Sequence, residues 1–138
     1  MGRTVRNAAK ALIIKDDKML AIKISDNKEE WYIMPGGGQD VEELLPETAC
    51  REVAEEMAMG AAEMANANCA IAPTGIAGPT GGTEDCPVGT VCFACVVKDQ
   101  VLTERAIFEG NRMEIRMQAA VYAIEMLCDY IETCYEED

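Results

Sequence analysis

Glu52, Glu55 and Glu56 stand at i, i+3 and i+4, a spacing that places three carboxylates on one side of a helix. Like charges so placed repel by about a few tenths of a kcal/mol per pair, so something must neutralise them. Arg51, directly before the cluster, can serve one carboxylate. A hard divalent cation would serve all three, since Mg2+ or Mn2+ takes oxygen ligands and keeps waters that leave room for substrate phosphates. Ahead of the cluster lie Gly36, Gly37, Gly38 and Glu43, with five residues between Gly37 and Glu43 and seven between Glu43 and Arg51. A solvated acidic helix face is the plainer reading, but it predicts neither the glycine loop nor this spacing.

A second set lies further on. Residues 74–90 are rich in Gly, Thr and Pro. Glycines let backbone N–H groups approach an anion, and the hydroxyls of Thr74, Thr80 and Thr83 add contacts. Loops of this composition are usually turns, so physics alone favours a ligand loop only weakly. Arg112 follows Gly110 and Asn111. It is a reasonable phosphate partner, against the plain reading of an exposed first-turn residue. The chain has no histidine, which excludes His-based triads, His zinc sites and His general bases.

These residues need elements to hold them. Residues 8–15 and 19–25 read as two strands joined at Asp16-Asp17, and 31–34 as a third short strand ended by Pro35 and the glycines. A helix is expected from near Pro46, with proline in its first turn, to about Ala65. Its expected apolar stripe is Ala49, Val53, Met57, Gly60 and Met64; Asn66 and Asn68 mark its stop. Strands follow at 69–73, 90–97 and 101–108. A long helix then opens at Asn111, where Asn111 and Glu114 form a capping-box pattern. Its expected apolar face is Met117, Ala120, Val121, Ile124, Leu127, Cys128 and Ile131. Its acidic end is expected to fray.

Composition bounds the rest. The 138 residues are 49% apolar, enough for one domain over 1–138 with a real core. A net charge of −13 disfavours nucleic acid as a partner. No run of about 18 apolar residues is present, so no membrane span is expected, and the start Met-Gly-Arg-Thr shows no secretory pattern. Seven cysteines, an odd count, suit a reducing cytoplasm. Cys92 and Cys95 fall in a strand-like run. Positions three apart on a strand face opposite sides, so buried structural thiols are expected rather than a redox or zinc pair. The terminal Glu136-Glu137-Asp138 reads as a solvated tail.

The carboxylate segment resembles the Nudix hydrolases, whose box runs Gly-x5-Glu-x7-Arg-Glu-U-x-Glu-Glu-x-Gly-U, with U a bulky aliphatic residue. Gly37, Glu43, Arg51, Glu52, Val53, Glu55, Glu56 and Met59 match it, and Ala58 stands where that family has glycine. Trp31 to Gly37 also resembles the strand leading into the box. The resemblance covers about residues 4–59. It implies Mg2+ or Mn2+ on Glu52, Glu55 and Glu56, orientation of a carboxylate by Arg51, and a substrate-shaping loop at Gly36, Gly37 and Gly38. A fourth metal carboxylate has only candidates: Glu84, Asp85, Glu104 and Glu109.

The later segment is similar to the CinA C-terminal domain, a family that includes nicotinamide-mononucleotide deamidases. Thr74 to Pro79 reads Thr-Gly-Ile-Ala-Gly-Pro, and Gly-Gly-Thr at 81–83, Pro-Val-Gly-Thr-Val at 87–91 and Gly-Asn-Arg at 110–112 follow. This resemblance covers about residues 54–131. It implies that Thr74 and Arg112 line a ligand site, and it hints at a homodimer. The family's Ser-Cys-Thr-Gly-Gly segment does not occur here, and the sole serine is Ser25. Together the two resemblances imply a join of two families within one helix. The expected fold is α/β: a single mixed-sheet α/β sandwich with an N-terminal β-hairpin plus strand, a central Nudix-type helix, further strands and a long C-terminal helix. The main functional expectation is Nudix-like, divalent-metal-dependent hydrolysis of a nucleoside diphosphate linked to another moiety. The alternatives are a CinA-like nicotinamide-mononucleotide amidohydrolase or nucleotide binder, and a folded recombinant hybrid without catalytic activity.

Overall fold

The computed structural model describes residues 7–26, 29–40 and 43–136; the start pattern at residues 1–4 and the tail at 137–138 lie outside them. Strand β6 (Thr90–Val97) is buried at every residue. That is the signature of a strand covered on both faces, and its unbroken run Val-Cys-Phe-Ala-Cys-Val-Val gives it no polar side to turn to water. It is the centre of a three-stranded antiparallel sheet in the order β5 (Cys69–Gly75), β6, β7 (Gln100–Ile107). The β5–β6 register pairs Cys69 with Val97 and Gly75 with Val91. The β6–β7 register pairs Thr90 with Ile107.

Alternation sorts β6 into two cores. Val91, Phe93, Cys95 and Val97 pack with Ala119, Ala123 and Met126 of helix α2 (Arg112–Glu136). Cys92, Ala94 and Val96 pack, with Ala72, on Ala54 and Ala58 of helix α1 (Leu45–Ala65). Cys92 and Cys95 therefore lie on opposite faces, both buried, as the strand geometry predicted. α1 carries Pro46 near its start and ends at Asn66, whose left-handed φ of 49° and ψ of 46° suit asparagine better than most residues. α2 begins on the expected capping box: Asn111 Oδ1 accepts from the N–H groups of Met113 (2.9 Å) and Glu114 (3.2 Å), and the Glu114 carboxylate accepts from Asn111 N–H (2.7 Å).

Helix α1 turns a different face inward from the one expected, and of the face expected on α2 Leu127 and Ile131 pack against the core. On α1 the fully buried residues are Thr48, Ala54 and Ala58, while Met57 and Met64 are exposed. On α2 the buried positions are Ile115, Ala119, Ala123 and Met126, while Met117, Val121 and Ile124 are exposed. Each helix is apolar on more than one side, and Ala54 and Ala58 on α1, with Ala119 and Ala123 on α2, allow close approach to the apolar run of β6. Large side chains were the stronger periodic signal, but close packing decided the contact.

The first part of the chain forms hairpins rather than a layer of the central sheet. β1 (Ile14–Lys15) and β2 (Lys18–Met19) pair around Asp16 and Asp17, both at positive φ, as a tight hairpin turn requires. β3 (Ile22–Asp26) pairs with β4 (Glu29–Ile33), Ile22 opposite Ile33. Residues 8–13 are not strand; they run beside the glycine loop through Ala9 N–H to Gly37 O (3.0 Å) and Ala11 N–H to Pro35 O (2.8 Å). The expected single mixed sheet is thus corrected: among the described residues there are three separate sheets, each antiparallel throughout. Two-residue strands leave Leu12, Ile14 and Leu20 exposed, because so short a ladder offers no second layer to cover them.

Candidate functional site

Arg51 stands where a metal ion was expected. Its guanidinium donates from Nε to Glu43 Oε1 (2.9 Å), from Nη2 to Glu43 Oε2 (3.1 Å), and from Nη1 to Glu52 Oε1 (3.1 Å) and Glu55 Oε1 (2.8 Å). Nη2 also donates to the Gly38 carbonyl at 3.0 Å. The helix spacing brings Glu52 and Glu55 to one side of α1. The capping turn before the helix brings Glu43, whose carboxylate also accepts from the Thr48 hydroxyl (2.8 Å) and Asp40 N–H (3.1 Å). Gly37 admits the cluster to the loop: a Cβ there would lie 2.2 Å from Glu52 Oε1.

A fixed cation amid carboxylates shifts their protonation. Arg51 is held more firmly charged, first by its bonds to Glu43, against burial, and then by Glu55. Burial pushes the Glu43 carboxyl up, but hydrogen bonds from Arg51, Asp40 and Thr48, with the Arg51 charge, carry it below its ordinary 4.5. Glu56 moves the other way: burial raises it first, then the charges of Glu52 and Glu55, against Lys10. A carboxyl with a lowered native pKa contributes stability that is whole above 4.5 and lost as pH falls through its lower native value. A carboxyl with a raised one, Glu56, is relieved by protonation and opposes that loss. The urea midpoint of wild type is therefore expected to exceed that of Glu43→Gln above pH 4.5 and to converge with it as acid neutralises Glu43. A constant gap across that range would refute the assignment.

The expected Mg2+ or Mn2+ set does not fit this arrangement. Among the described residues no three His, Cys, Asp or Glu side chains are gathered to hold a metal ion, and Arg51 already takes an oxygen from each of Glu52 and Glu55. Of the fourth-carboxylate candidates, Glu104 accepts the Tyr122 hydroxyl from α2, while Glu84, Asp85 and Glu109 lie in exposed loop. Gly36, Gly37 and Gly38 do approach the cluster, but through backbone that braces Arg51.

Thr74 and Arg112 line one cavity of about 280 Å³ between the end of β5 and the first turns of α2, with Gly75, Ala77, Ile115 and Arg116. Arg112 Nη1 donates to the Gly78 carbonyl at 2.8 Å, so the glycine-threonine loop is pinned to the start of α2. Gly78 has φ +74°, and a Cβ there would meet Val88 Cγ1 at 2.6 Å, which folds that loop tightly. Arg112 and Arg116 also line a second cavity, of about 640 Å³, with Pro79, Val88 and Gly110. Arg116 escaped the sequence reading, although its i+4 spacing from Arg112 could have shown it.

Three thiols went equally unnoticed as neighbours. Cys50 on α1 faces Cys92 on β6 and is lowered below the ordinary thiol value of 9.0, first by the Cys92 thiol, against burial, and then by the Cys92 backbone and the Arg105 charge. Cys92 is raised, first by Cys50 and then by burial, and burial likewise raises Cys86. Arg105 on β7 is itself paired with Glu47 of α1 at 2.7 Å.

Comparison with known proteins adds a family to this geometry. The family model of the CinA C-terminal domain matches residues 43–131. The nicotinamide-nucleotide amidohydrolase PncC of Escherichia coli K12 is 46% identical over 76 residues, 54% of this chain and 46% of that protein. A CinA-like protein of Mycolicibacterium gilvum is 35% identical over 141 aligned positions, 91% of this chain and 32% of its own length. A CinA superfamily crystal structure from Escherichia coli superposes with a TM-score of 0.54 at 41% identity, covering 56% of this chain and 45% of that one. One from Agrobacterium tumefaciens gives 0.55 at 41%, covering 57% and 49%. The chain spans less than half the length of these relatives.

The expected metal-dependent diphosphate hydrolysis is overturned by these matches. The CinA region begins at residue 43 and so takes in Glu43, Arg51, the three glutamates and the whole of α1. One relative aligns across most of the chain, on both sides of the expected join. Neither a Nudix-like half nor a junction of two families is supported. No helix among the described residues is long and apolar enough to cross a membrane.

Proposed function

From the premise that the chain belongs to the CinA C-terminal domain family, we propose that it binds a nicotinamide nucleotide in the cavity between β5 and α2, as the nucleotide-holding part of an amidohydrolase-type site. The observation that carries this is the pair Arg112 and Arg116 on one cavity wall in a chain of net charge −13. Two guanidiniums one helical turn apart, beside a glycine-rich backbone, suit a phosphate. Val91, Ile115 and Ala119 give the same cavity an apolar side for a flat heteroaromatic ring. Thr74 lies on the same cavity wall.

The proteins named as nicotinamide-nucleotide amidohydrolases hydrolyse an amide. In this chain Ser25 lies on β3 opposite Glu30, outside the cavity, so a serine nucleophile is not part of the proposal. Calorimetric titration with nicotinamide mononucleotide, with ammonia release followed in parallel, tests it. The mononucleotide is expected to bind. Arg112→Gln, which removes the charge but keeps a polar side chain, is expected to weaken binding roughly 10–150-fold, the equivalent of a charge-assisted hydrogen bond. The riboside, lacking the phosphate and so both arginine contacts, should bind wild type more weakly than the mononucleotide binds the variant. No binding to a folded wild type sinks the reading.

A further inference from the structure

We propose that Cys50 is a covalent modification site for small polar disulfides, with the retained half of the reagent held in a cavity on the α1 side of β5. That cavity, about 390 Å³, lies between the first turns of α1 and the 76–89 loop, and its wall includes Pro46, Cys50, Thr74, Thr83, Cys86 and Thr90. It is distinct from the Arg112 cavity, whose helical wall is α2; the two share Thr74 and Gly75 at the end of β5.

Three observations converge there. Cys50 is half-buried and its thiol donates to the Thr74 carbonyl at 3.5 Å, a weak bond that a reaction at sulfur can break. Thr83 is already engaged, its hydroxyl accepting from Cys86 N–H at 3.0 Å. Thr90 is 2% exposed, and its Oγ1 is the one buried side-chain polar atom among the described residues with no hydrogen-bond partner. A buried hydroxyl left unpaired costs about 1–3 kcal/mol, and a polar group entering this cavity would remove that cost. A nucleophilic sulfur and an unsatisfied hydroxyl on one cavity wall define the occupant: a short chain with sulfur at one end and a hydroxyl or carbonyl at the other.

The step balances without a metal or cofactor. The Cys50 sulfur attacks one sulfur of a low-molecular-weight disulfide R–S–S–R. The bond between the reagent sulfurs breaks, a Cys50–S–S–R bond forms, and the thiol proton leaves with the departing R–SH. Cys50 is oxidised and the departing sulfur is reduced.

The test follows the full chain by intact mass and peptide mapping during reaction with bis(2-hydroxyethyl) disulfide or with diethyl disulfide. Cys50 is expected to take the hydroxyethyl adduct ahead of the exposed Cys69 and Cys128, and to keep it. Its preference for the hydroxyethyl over the ethyl reagent should exceed that of Cys128 by roughly fivefold, the worth of one hydrogen bond. Thr90→Val should reduce that preference to the Cys128 value, and Thr90→Ser should retain it. Equal preferences at Cys50 and Cys128 in wild type, for which no variant is needed, would overturn the proposal. So would modification of Cys128 with Cys50 left intact, or loss of thiols with no adduct retained.

Discussion

Arg51→Ala is expected to lower the free energy of unfolding by about 3–5 kcal/mol, the cost of removing one partner from a buried ion pair. The side chain is 16% exposed, and those of Glu43 and Glu52 are 14% and 16%. A surface pair of the same letters would contribute under about 1 kcal/mol, so the size of the loss reports burial. Alanine also frees the Gly38 carbonyl and leaves three carboxylates facing one another. Adding Glu52→Gln and Glu55→Gln to Arg51→Ala should therefore recover part of the loss, while the same two changes in wild type should destabilise. Urea denaturation of the four proteins closes the cycle. A loss below about 1 kcal/mol, or no coupling between Arg51 and the glutamates, would show that the network is incidental. The same set examined with Mg2+ and with EDTA should show wild-type midpoints that do not move, because Arg51 already supplies the positive charge.

Phe93→Ala is expected to cost as much, about 3–5 kcal/mol, for a different reason. Phe93 is fully buried on the central strand. Its ring meets Tyr122 with centroids 4.8 Å apart and Phe108 edge-on at 6.1 Å, and Phe108 meets Tyr122 at 5.8 Å. These are the two phenylalanines of the chain, joined with one tyrosine of α2 where strands and helix converge. The other fully enclosed side chains on this face are Val, Ala, Cys and Met, too small or already packed to fill the void. Phe93→Leu should cost about 1 kcal/mol. Met64→Ala, at a side chain exposed at the end of α1, should change the urea midpoint hardly at all. Equal effects at positions 64 and 93 would mean that the sheet between the two helices is not the core.

Why the carboxylate spacing misled is instructive. Glu52, Glu55 and Glu56 share a helix side whether the compensating charge is a divalent cation or a guanidinium. The linear pattern contains Arg51 and the glutamates in either case, and it carries no record of where the arginine reaches. Arg51 reaches across the helix start to Glu43 and the Gly38 carbonyl as well as along the helix to Glu55. That path closes only once the loop has folded back.

Much of the architecture was legible in the chain itself. The start of α1 at Pro46 and its stop at Asn66, the Asn111–Glu114 cap, the three strands of the central sheet and the opposite facing of Cys92 and Cys95 all follow from local chemistry. Backbone angles, missing donors and period-two alternation act within a few residues. The wording of the glycine-threonine loop and the Gly-Asn-Arg that follows singled out Thr74 and Arg112, which line one cavity. Tertiary structure alone decided which face of each helix goes inward, because both helices are apolar on more than one side and packing against β6 chose Ala54 and Ala58 on α1, and Ala119, Ala123 and Met126 on α2. It alone separated the N-terminal hairpins from the central sheet, and put Cys50 and the unpartnered Thr90 on one cavity wall. Those outcomes depend on distances between residues far apart in sequence, set by how closely surfaces can pack, and no local spacing encodes them.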